Sequence, residues 1–325
     1  MVVKIEELDK LDRKILYELD ADSSQTFKKL GKKLRISKET VGYRIKRLIK
    51  DGYLKDFLTT INISNLNRFY YKIFYKFHKT TRDVDRKIIA FVKSYSSIAY
   101  FASLEGRYDI TFLLLARNMK DLRKFLIEFR SQFGDYVLEQ EILTMTNVHR
   151  FNFRFFLEGG ELHHTKYPED LLDQKIDALD YNIIKNLAAN SRISLVELAR
   201  QSKTDINVIK YRIKKLRKMN ILGASVTSVN FDKFGLQHIQ VDFSLRSPEV
   251  VDHLVNYIAE FNRSTFATTT IGKYDVAAEF VVESTKELRQ ILDKIKENFS
   301  SDITSYDVFI MEEHIVNWFP YELDE

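Results

Sequence analysis

Two segments near the start of the chain place apolar residues at helical spacing. In the first, Ile15, Leu16 and Leu19 fall on one face, and Asp9 stands where a helix N-cap is expected. The second segment, FKKLGKKL, follows an acidic turn over Asp20–Ser24. These segments predict two helices in close succession.

A third amphipathic segment follows at once. Ser37 can cap it, and Gly52 stands where the helix would end. Its apolar stripe consists of Val41, Ile45, Leu48 and Ile49. The next residues, FLTTINI, read as a strand suited to a wing. A short helix, a tight turn and a basic amphipathic helix are typical of a helix-turn-helix.

The residues that follow predict the order strand, helix, strand, strand, helix, strand. The first strand alternates, with Tyr71, Ile73, Tyr75 and Phe77 on one face. The helical stripes are Val84, Ile88 and Phe91, and then Leu122, Phe125, Leu126 and Phe129. Two helices over one face of a four-stranded antiparallel sheet form the ferredoxin-like arrangement.

The whole pattern then repeats. The stretch LDKLDRKILYELDADS from Leu8 returns as IDALDYNIIKNLAANS from Ile176, a shift of 168. At the same shift ISKETVGYRIKRLIKDGYL (Ile36–Leu54) returns as TDINVIKYRIKKLRKMNIL (Thr204–Leu222), with Asp205 as N-cap and Asn220 as terminator. A G-x-Y-D turn recurs at a shift of 166. The sequence is therefore a tandem duplication, with a period too long for a solenoid.

The repeat predicts the domain boundaries. EGGELHHTKYPED is polar and aperiodic and holds the only Gly-Gly pair, which is typical of a linker. We therefore expect an α+β fold, with a winged helix-turn-helix over residues 1–62, a ferredoxin-like domain over 63–157 and a linker over 158–170. A second winged helix-turn-helix over 171–231 and a second ferredoxin-like domain over 232–325 complete it.

Composition excludes several kinds of chemistry. Cysteine is absent, which excludes disulfides, cysteine-ligated zinc, iron–sulfur clusters and thiol nucleophiles. No run approaches 18 apolar residues, and the opening MVVKIEELDK does not resemble a signal peptide. We therefore expect a soluble cytoplasmic protein, associated with the nucleoid, that has no membrane partner, metal or cofactor.

Charge is unevenly distributed. Residues 1–62, 63–169 and 170–230 each carry a net charge of +5, whereas residues 231–325 carry −10. This distribution indicates a polyanionic partner for some parts of the chain and not for others.

The third helix of each copy presents a polar, basic face opposite its apolar stripe. Lysines and arginines there would contact phosphates, while Glu39 is suited to a cytosine amino group and Asn207 to adenine, so the two copies are expected to prefer different half-sites. The candidate DNA-binding residues are Lys38, Glu39, Thr40, Tyr43, Arg44, Lys46, Arg47 and Lys50, and then Asn207, Lys210, Tyr211, Arg212, Lys214, Lys215 and Lys218.

The alternative is that these faces are simply solvated. Repetition of the pattern after the same preceding helices argues against it. Gly42 has two interpretations, helix packing or close DNA approach, and Lys210 in its place in the second copy shows that the fold does not require glycine.

In order and spacing, three motifs resemble the Lrp/AsnC feast/famine transcription regulators over nearly the whole chain, twice. They are the LDxxD opening (Leu8–Asp12, repeated as Ile176–Asp180), the S-x-x-T-V-x-Y-R-I-K-R-L helix and the G-x-Y-D turn. The resemblance implies winged helix-turn-helix domains joined to ferredoxin-like RAM domains, double-stranded DNA as partner, and homo-oligomers formed through RAM domains. It also implies that the chain is two subunits fused into a pseudo-dimer.

Many members of this family sense amino acids at RAM–RAM interfaces, and the G-x-Y-D turn lies by their effector pocket. The resemblance therefore implies Gly106, Tyr108, Asp109, Gly272, Tyr274 and Asp275 as effector-binding candidates. The alternative is structural, with glycine supplying a positive φ and aspartate capping the turn.

The charge asymmetry suggests how the two RAM domains meet. One face of the first strand carries Lys72, Phe74 and Lys76 in copy one and His238, Gln240 and Asp242 in copy two. If the sheets pair by those faces, a basic domain meets an acidic one, which favours pairing between unlike halves. The rival explanation is that the acidic domain keeps a DNA-binding protein soluble.

Catalytic signatures are scarce. The sequence has no G-x-G-x-x-G, Walker A, H-E-x-x-H or G-x-S-x-G motif, and His163 and His164 lack metal-ligand spacing. We therefore expect a DNA-binding transcription regulator that is not an enzyme. The alternatives are an architectural DNA-binding protein and, because some tandem AsnC-like proteins are similar to it, a siroheme decarboxylase.

Overall fold

The computed structural model describes residues 5, 8–167, 172–317 and 319–320, and it has the α+β fold expected from the sequence. The rest of the predicted domain ends and of the linker lies outside the described residues. Copy one comprises α1 (Lys10–Ala21), α2 (Phe27–Leu34), α3 (Lys38–Lys50), β1 (Leu54–Ile61), β2 (Phe69–Phe77), α4 (Arg82–Ser94), β3 (Ile98–Glu105), β4 (Ile110–Ala116), α5 (Met119–Phe133) and β5 (Val137–Phe151).

Copy two repeats this order after a short strand, β6 (His164–Tyr167). Its elements are α6 (Ala178–Ala189), α7 (Leu195–Gln201), α8 (Ile206–Lys218), β7 (Leu222–Val229), β8 (Gln237–Leu245), α9 (Val251–Glu260), β9 (Ser264–Ile271), β10 (Val276–Val282), α10 (Thr285–Phe299) and β11 (Ile303–Val316). We call α1–α3 head one and α6–α8 head two. The order strand, helix, strand, strand, helix, strand is confirmed in both copies.

Strands β1 and β7 lie where the sequence predicts the strands suited to a wing. They pair with each other, antiparallel, as a two-stranded ribbon between the copies. Leu58 lies opposite Val226, its own equivalent in the repeat, so a pseudo-twofold axis passes through this pair. Ser23 Oγ and Ser191 Oγ, another equivalent pair, lie 2.7 Å apart. The two heads are thereby joined to one another.

The two ferredoxin-like sheets close into one barrel. Their strands run in the order β2-β4-β3-β11-β8-β10-β9-β5, all antiparallel, and β5 also pairs with β2, which completes the ring. The long last strand of each copy makes the closure. It pairs first with its own sheet and then with the other copy, as β11 does with β8 and then with β3.

Each barrel face has its own core. On the outside, α4 and α5 cover a cluster that contains Phe101, Phe112 and Phe125, and α9 and α10 cover the equivalent cluster of copy two. Inside, between the sheets, lies a third cluster with Phe74 and Phe309 at its centre. The sheets therefore meet face to face, which is the pairing that the charge pattern suggested.

Each head packs against the opposite copy. Residues of head one share a core with Val229, Phe234, Leu236 and Val281 of copy two, and residues of head two share a core with Ile63, Leu66 and Leu115 of copy one. The cores of the heads are therefore built from residues of both copies. The predicted domain boundaries stay a prediction, and β6, within the predicted linker, pairs with the end of β5.

Within the residues that the structure describes, no helix is both long and apolar enough to cross a membrane.

Candidate nucleic-acid interface

Helix α3 begins and ends at the capping residues predicted from the sequence. Ser37 Oγ accepts a hydrogen bond from the Thr40 amide at 3.0 Å, and Gly52 has a φ of +76° at the far end. Val41, Ile45 and Leu48 are buried. The expectation that Ile49 belongs to this apolar stripe is wrong, because its exposed fraction is 42%. Its equivalent in the repeat is Arg217, which is also exposed.

The exposed face of α3 contains most of the predicted contact residues. Tyr43 is 67% exposed, Thr40 is partly buried beside Ser37, and Gly42 lies against the ring of Phe27 in α2. The other exposed side chains are Lys38, Glu39, Lys46 and Lys50. This face is open to a large partner.

Two arginines of α3 are held by helix α1. Arg44 Nη1 lies 3.0 Å from Asp12 Oδ1 and 3.2 Å from Asp9, and Arg47 binds the other oxygen of Asp12. Asp12 is nearly fully buried, and the Arg44 side chain is only 20% exposed. The LDxxD motif is thereby explained, because its first aspartate caps α1 and its second fixes α3, the third helix of the helix-turn-helix, against α1.

Helix α8 repeats this arrangement. Arg212 bridges Asp177 and Asp180 at 2.6 and 3.1 Å, and Lys215 Nζ lies 3.3 Å from Asp180. Asp205 caps α8, and Asn220 has a φ of +53° beyond its end. The exposed predicted residues are Asn207, Lys210, Tyr211, Lys214 and Lys218.

Sequence reasoning missed a second cationic surface on head one. Helix α2 and its C-cap expose Lys28, Lys29, Lys32, Lys33 and Arg35 next to the recognition helix. Lys33 is paired with Glu18 at 2.5 Å. The equivalent helix α7 has one arginine, Arg200, which is paired with Glu197 at 2.7 Å. The charge run FKKLGKKL was the available signal.

The glycines of the two G-x-Y-D turns lie where the copies touch. Gly106 and Gly272 have φ values of +149° and +147°. A Cβ on Gly106 would lie 2.6 Å from the carbonyl oxygen of Val308, and one on Gly272 would lie 2.5 Å from a methyl of Leu143. Only glycine combines this backbone conformation with this closeness.

The other turn residues are engaged within the protein. Asp109 accepts the amide of Phe77 at 2.7 Å, and Asp275 accepts the amide of Leu245 at 2.6 Å. Tyr108 and Tyr274 are buried in the barrel. Lys273 Nζ approaches both hydroxyls, at 3.4 and 2.9 Å, which brings the two turns together in the barrel interior. Burial raises the pKa of Tyr274.

A cavity of about 250 Å³ lies elsewhere, between the β1/β7 ribbon and the barrel, and none of the six G-x-Y-D candidates lines it. His238 lies there between Glu279, 3.1 Å away, and Glu313, 3.5 Å away. Burial alone would lower the pKa of His238, but the two carboxylates outweigh it and raise the pKa to about 9. His238 is therefore an imidazolium at neutral pH.

Hydrogen bonds also link charged side chains of the two facing sheets. Lys72 Nζ donates to Gln240 Oε1 at 2.7 Å, and the Gln240 amide donates to Asp242. All three are buried. Burial raises the pKa of Asp242 to about 6, although Lys72 opposes the shift. A basic residue of copy one is thus linked to an acidic residue of copy two through one glutamine.

Among the described residues, no group of three or more histidine, aspartate or glutamate side chains is arranged to hold a metal ion.

Comparison with known proteins adds four findings. A family model described as winged helix-turn-helix DNA-binding matches residues 8–55 and 176–222. The chain is 30% identical to the HTH-type transcriptional regulator Ptr1 of Methanocaldococcus jannaschii over 121 residues, 37% of this chain and 80% of that protein. The siroheme decarboxylase NirDL has a similar structure, with 13% identity and a TM-score of 0.64 over 94% of this chain and 92% of that one. E. coli AsnC is 21% identical, with a TM-score of 0.38 over 43% and 93%.

Proposed function

The chain belongs to the Lrp/AsnC family of transcription regulators, as a tandem duplication of the family's subunit, and we propose that it binds double-stranded DNA as a covalent pseudo-dimer with two unlike heads. A pseudo-twofold axis relates the heads, so each would present its recognition helix to one half of a site.

One observation carries this proposal. In both heads the buried apolar residues and the aspartate-bound residues of the third helix are used by the fold, while its exposed face carries several lysines. A purely structural helix would not need Lys46 and Lys50 in copy one and Lys214 and Lys218 in copy two on that face. Their ammonium groups are suited to phosphates.

The arrangement divides the predicted contact residues into two groups. Those free to enter the major groove include Glu39 and Tyr43 in head one and Asn207 and Tyr211 in head two. Arg44, Arg47, Arg212 and Lys215 are bound to aspartates, so we propose that they orient the helix. Because Glu39 and Asn207 favour different bases, the preferred site is an imperfect palindrome.

Selection of bound fragments from a random DNA pool tests the proposal, with and without an amino-acid mixture. We expect enrichment of a two-part site with unlike halves, and a footprint that survives competitor DNA. Affinity should fall steeply with salt. Absence of any enriched sequence would contradict sequence-specific regulation, and indiscriminate coverage would favour an architectural DNA-binding protein.

An amino-acid effector at the G-x-Y-D turns is the finer part of the proposal. Its support is the family resemblance and the meeting of both turns around Lys273. If the amino-acid mixture does not change which DNA fragments are selected, the effector proposal is contradicted. Homo-oligomers are proposed on the same resemblance, but the sheet faces are already paired within the chain, so assembly needs another surface. Light scattering measures that assembly.

The rival enzymatic function rests on the likeness to siroheme decarboxylase, which at 13% identity concerns the fold alone. We propose that the chain is not such an enzyme, because it carries two exposed basic recognition helices. Addition of sirohaem should then leave the absorbance spectrum of the mixture equal to the sum of its parts. A shifted spectrum would favour the enzyme.

A further inference from the structure

The side chain of Arg192, in the turn between α6 and α7 of head two, reaches into copy one. Its guanidinium carbon lies 4.7 Å from the ring centre of Phe27 in α2 and 5.0 Å from the ring centre of Phe57 in β1. Arg192 Nη1 also donates to the carbonyl of Ser23 at 2.8 Å. A planar guanidinium can stack on aromatic rings and donate hydrogen bonds at the same time. One side chain of head two therefore holds a turn, a helix and a strand of copy one.

The guanidinium of Arg192 is partly withdrawn from water. Burial lowers its pKa, and the nearby carboxylate of Asp22 opposes the shift. The group keeps its charge at neutral pH, because an arginine does not lose its proton in a protein. Attraction between a cation and an aromatic ring is stronger where water is excluded, so this contact is stronger than one on an open surface.

The contact continues to the recognition helix of head one. The ring of Phe27 lies against Gly42 in the middle of α3, where an added Cβ would be 3.3 Å from it. Helix packing is therefore the interpretation of Gly42 that the structure supports, because the glycine makes room for this ring. Direct contacts thus run from Arg192 of head two through Phe27 to the centre of α3.

The same contact cannot form in the opposite direction. The equivalents of Arg192, Phe27 and Phe57 in the other copy are Ser24, Leu195 and Ser225. These three residues offer neither a cation nor an aromatic ring. The hydroxyl of Ser24 instead lies 2.6 Å from a carboxylate oxygen of Asp22 in its own turn.

The backbone at this joint is symmetric, in contrast to the side chains. The Ser23 amide donates to the carbonyl of Ser225 at 2.9 Å, and the Ser191 amide donates to the carbonyl of Phe57 at 2.8 Å. These bonds lie next to the pair of serine hydroxyls that marks the pseudo-twofold axis. Bonds close to an axis hold two bodies together but resist rotation about it only weakly, so the angle between the heads depends on contacts beside the axis.

We propose that Arg192 is a positioning residue that sets the distance and angle between the two recognition helices, and that it thereby selects the spacing between the two half-sites. This inference rests on the proposed function, because a spacing exists only if both heads bind one DNA duplex. Each added base pair moves a half-site by about 3.4 Å and turns it by about 35° around the duplex. Two heads held at a fixed angle therefore accept one spacing, whereas heads that can turn accept several.

A library of two-part sites that differ only in the number of base pairs between the halves tests the proposal. The halves are those enriched from the random DNA pool. We expect the unaltered protein to prefer one spacing, and Arg192→Ala to reduce that preference by about threefold to tenfold, as expected for loss of a partly desolvated contact between a cation and aromatic rings. Affinity for each isolated half-site should not change. Fluorescence anisotropy measures both.

Three variants separate positioning from direct DNA contact. The matched control is Ser24→Ala at the equivalent position of copy one, which should keep the spacing preference. Arg192→Lys keeps the charge but loses the planar group, so it should restore the preference only in part. Arg192→Ala should leave the slope of log affinity against log salt unchanged, because no phosphate contact is lost.

A further variant tests the aromatic partner. Phe57→Ser installs the residue that copy two has at this position, and it should reduce the spacing preference as Arg192→Ala does. Combining the two substitutions should add little, because both remove the same contact. This variant also tests the proposal if Arg192→Ala fails to fold.

The separation of the recognition helices can be measured without DNA. The sequence contains no cysteine, so Lys50→Cys and Lys218→Cys introduce two unique sites for spin labels, and both positions are exposed. Pulsed electron–electron resonance should give a narrow distribution of label distances. We expect Arg192→Ala to broaden or shift this distribution and Ser24→Ala to leave it unchanged.

Three results would overturn the proposal. The first is an unchanged spacing preference or an unchanged distance distribution in Arg192→Ala. The second is full restoration by Arg192→Lys together with a lower salt slope in Arg192→Ala, which would make Arg192 a phosphate contact. The third is full additivity of Arg192→Ala and Phe57→Ser.

Failure of the proposed function would look different. If no two-part site is enriched, the proposed function fails, and selection of a spacing fails with it. A distance distribution that still broadens in Arg192→Ala would then show that Arg192 orients the heads for a purpose other than reading a two-part site. A DNA site with no spacing preference in the unaltered protein would instead overturn this inference alone.

Discussion

Head one and head two share a framework and three exposed contact residues (Tyr43, Lys46 and Lys50, equivalent to Tyr211, Lys214 and Lys218), but they differ at the first turn of the third helix, where Glu39 lies. Both fix the recognition helix with a buried aspartate of the preceding helix, Asp12 or Asp180. On the exposed face, Glu39 corresponds to Asn207, and the lysines of α2 correspond to Val196, Glu197, Arg200 and Gln201 of α7. Covalent fusion explains the difference, because two heads on one chain need not recognise the same half-site, whereas two identical subunits must.

The heads also differ in how they are attached. Asp20 of head one is fully buried, binds Arg150 and accepts the Phe153 amide at 2.7 Å, whereas its equivalent in head two is Ala188. Asp20→Ala should cost about 3–5 kcal/mol of unfolding free energy, because it leaves a buried guanidinium unpaired. Denaturant unfolding followed by circular dichroism measures this. A loss below about 1 kcal/mol would mean that both heads are attached equally well.

The shared framework predicts equal effects in the two heads. Asp12→Ala and Asp180→Ala should each cost about 2 kcal/mol, less than a fully buried pair because Arg47 and Lys215 are partly exposed. The same unfolding assay compares them. Unequal losses would show that one head relies on this pair and the other does not.

The exposed faces predict unequal changes in sequence preference. Glu39→Ala and Asn207→Ala should each remove about 1–2 kcal/mol of discrimination, at opposite halves of the selected site. Lys46→Ala should instead weaken all sites alike. Binding to a site library measures both, and the assignment of base-reading residues is wrong if the three variants give the same profile.

The smallest effect is expected from the lysines of α2, as a change in the salt dependence of DNA affinity. Replacing Lys28 and Lys32 by alanine should lower the slope of log affinity against log salt by about 1 for each phosphate that is no longer neutralised. Arg200→Ala in head two should leave the slope unchanged, because that arginine is paired with Glu197. Fluorescence anisotropy across a salt series measures the slopes. Equal slopes in all variants would place α2 away from DNA.

Local features were predictable from the sequence because they depend on near neighbours. The caps Ser37 and Asp205, the left-handed positions Gly52 and Asn220, and the order of elements follow from spacing and side-chain chemistry. Ile49 was wrongly assigned to the buried stripe because it is apolar and adjacent to that stripe in sequence. Its equivalent in the repeat is Arg217, which indicates an exposed position.

Contacts between the copies were not predictable in the same way. Pairing of β1 with β7, and the packing of Gly106 against Val308, depend on residues far apart in sequence, and a strand does not encode its partner. The charge asymmetry between the copies was the one long-range clue, since it suggested that the faces of Lys72 and Gln240 would meet.

Closure of the barrel by the final strand has a consequence for synthesis. The edge of β3, ending at Glu105, is covered by Ile310–Val316 of β11, so it stays open until residues 106–316 have been translated. At ordinary elongation rates the wait is about 10–40 s, during which an unpaired edge is available to a neighbouring nascent chain. Two ribosomes on one message could thus yield chains that have exchanged their second halves, so the linkage that defines the two unlike heads also creates a hazard in their biogenesis.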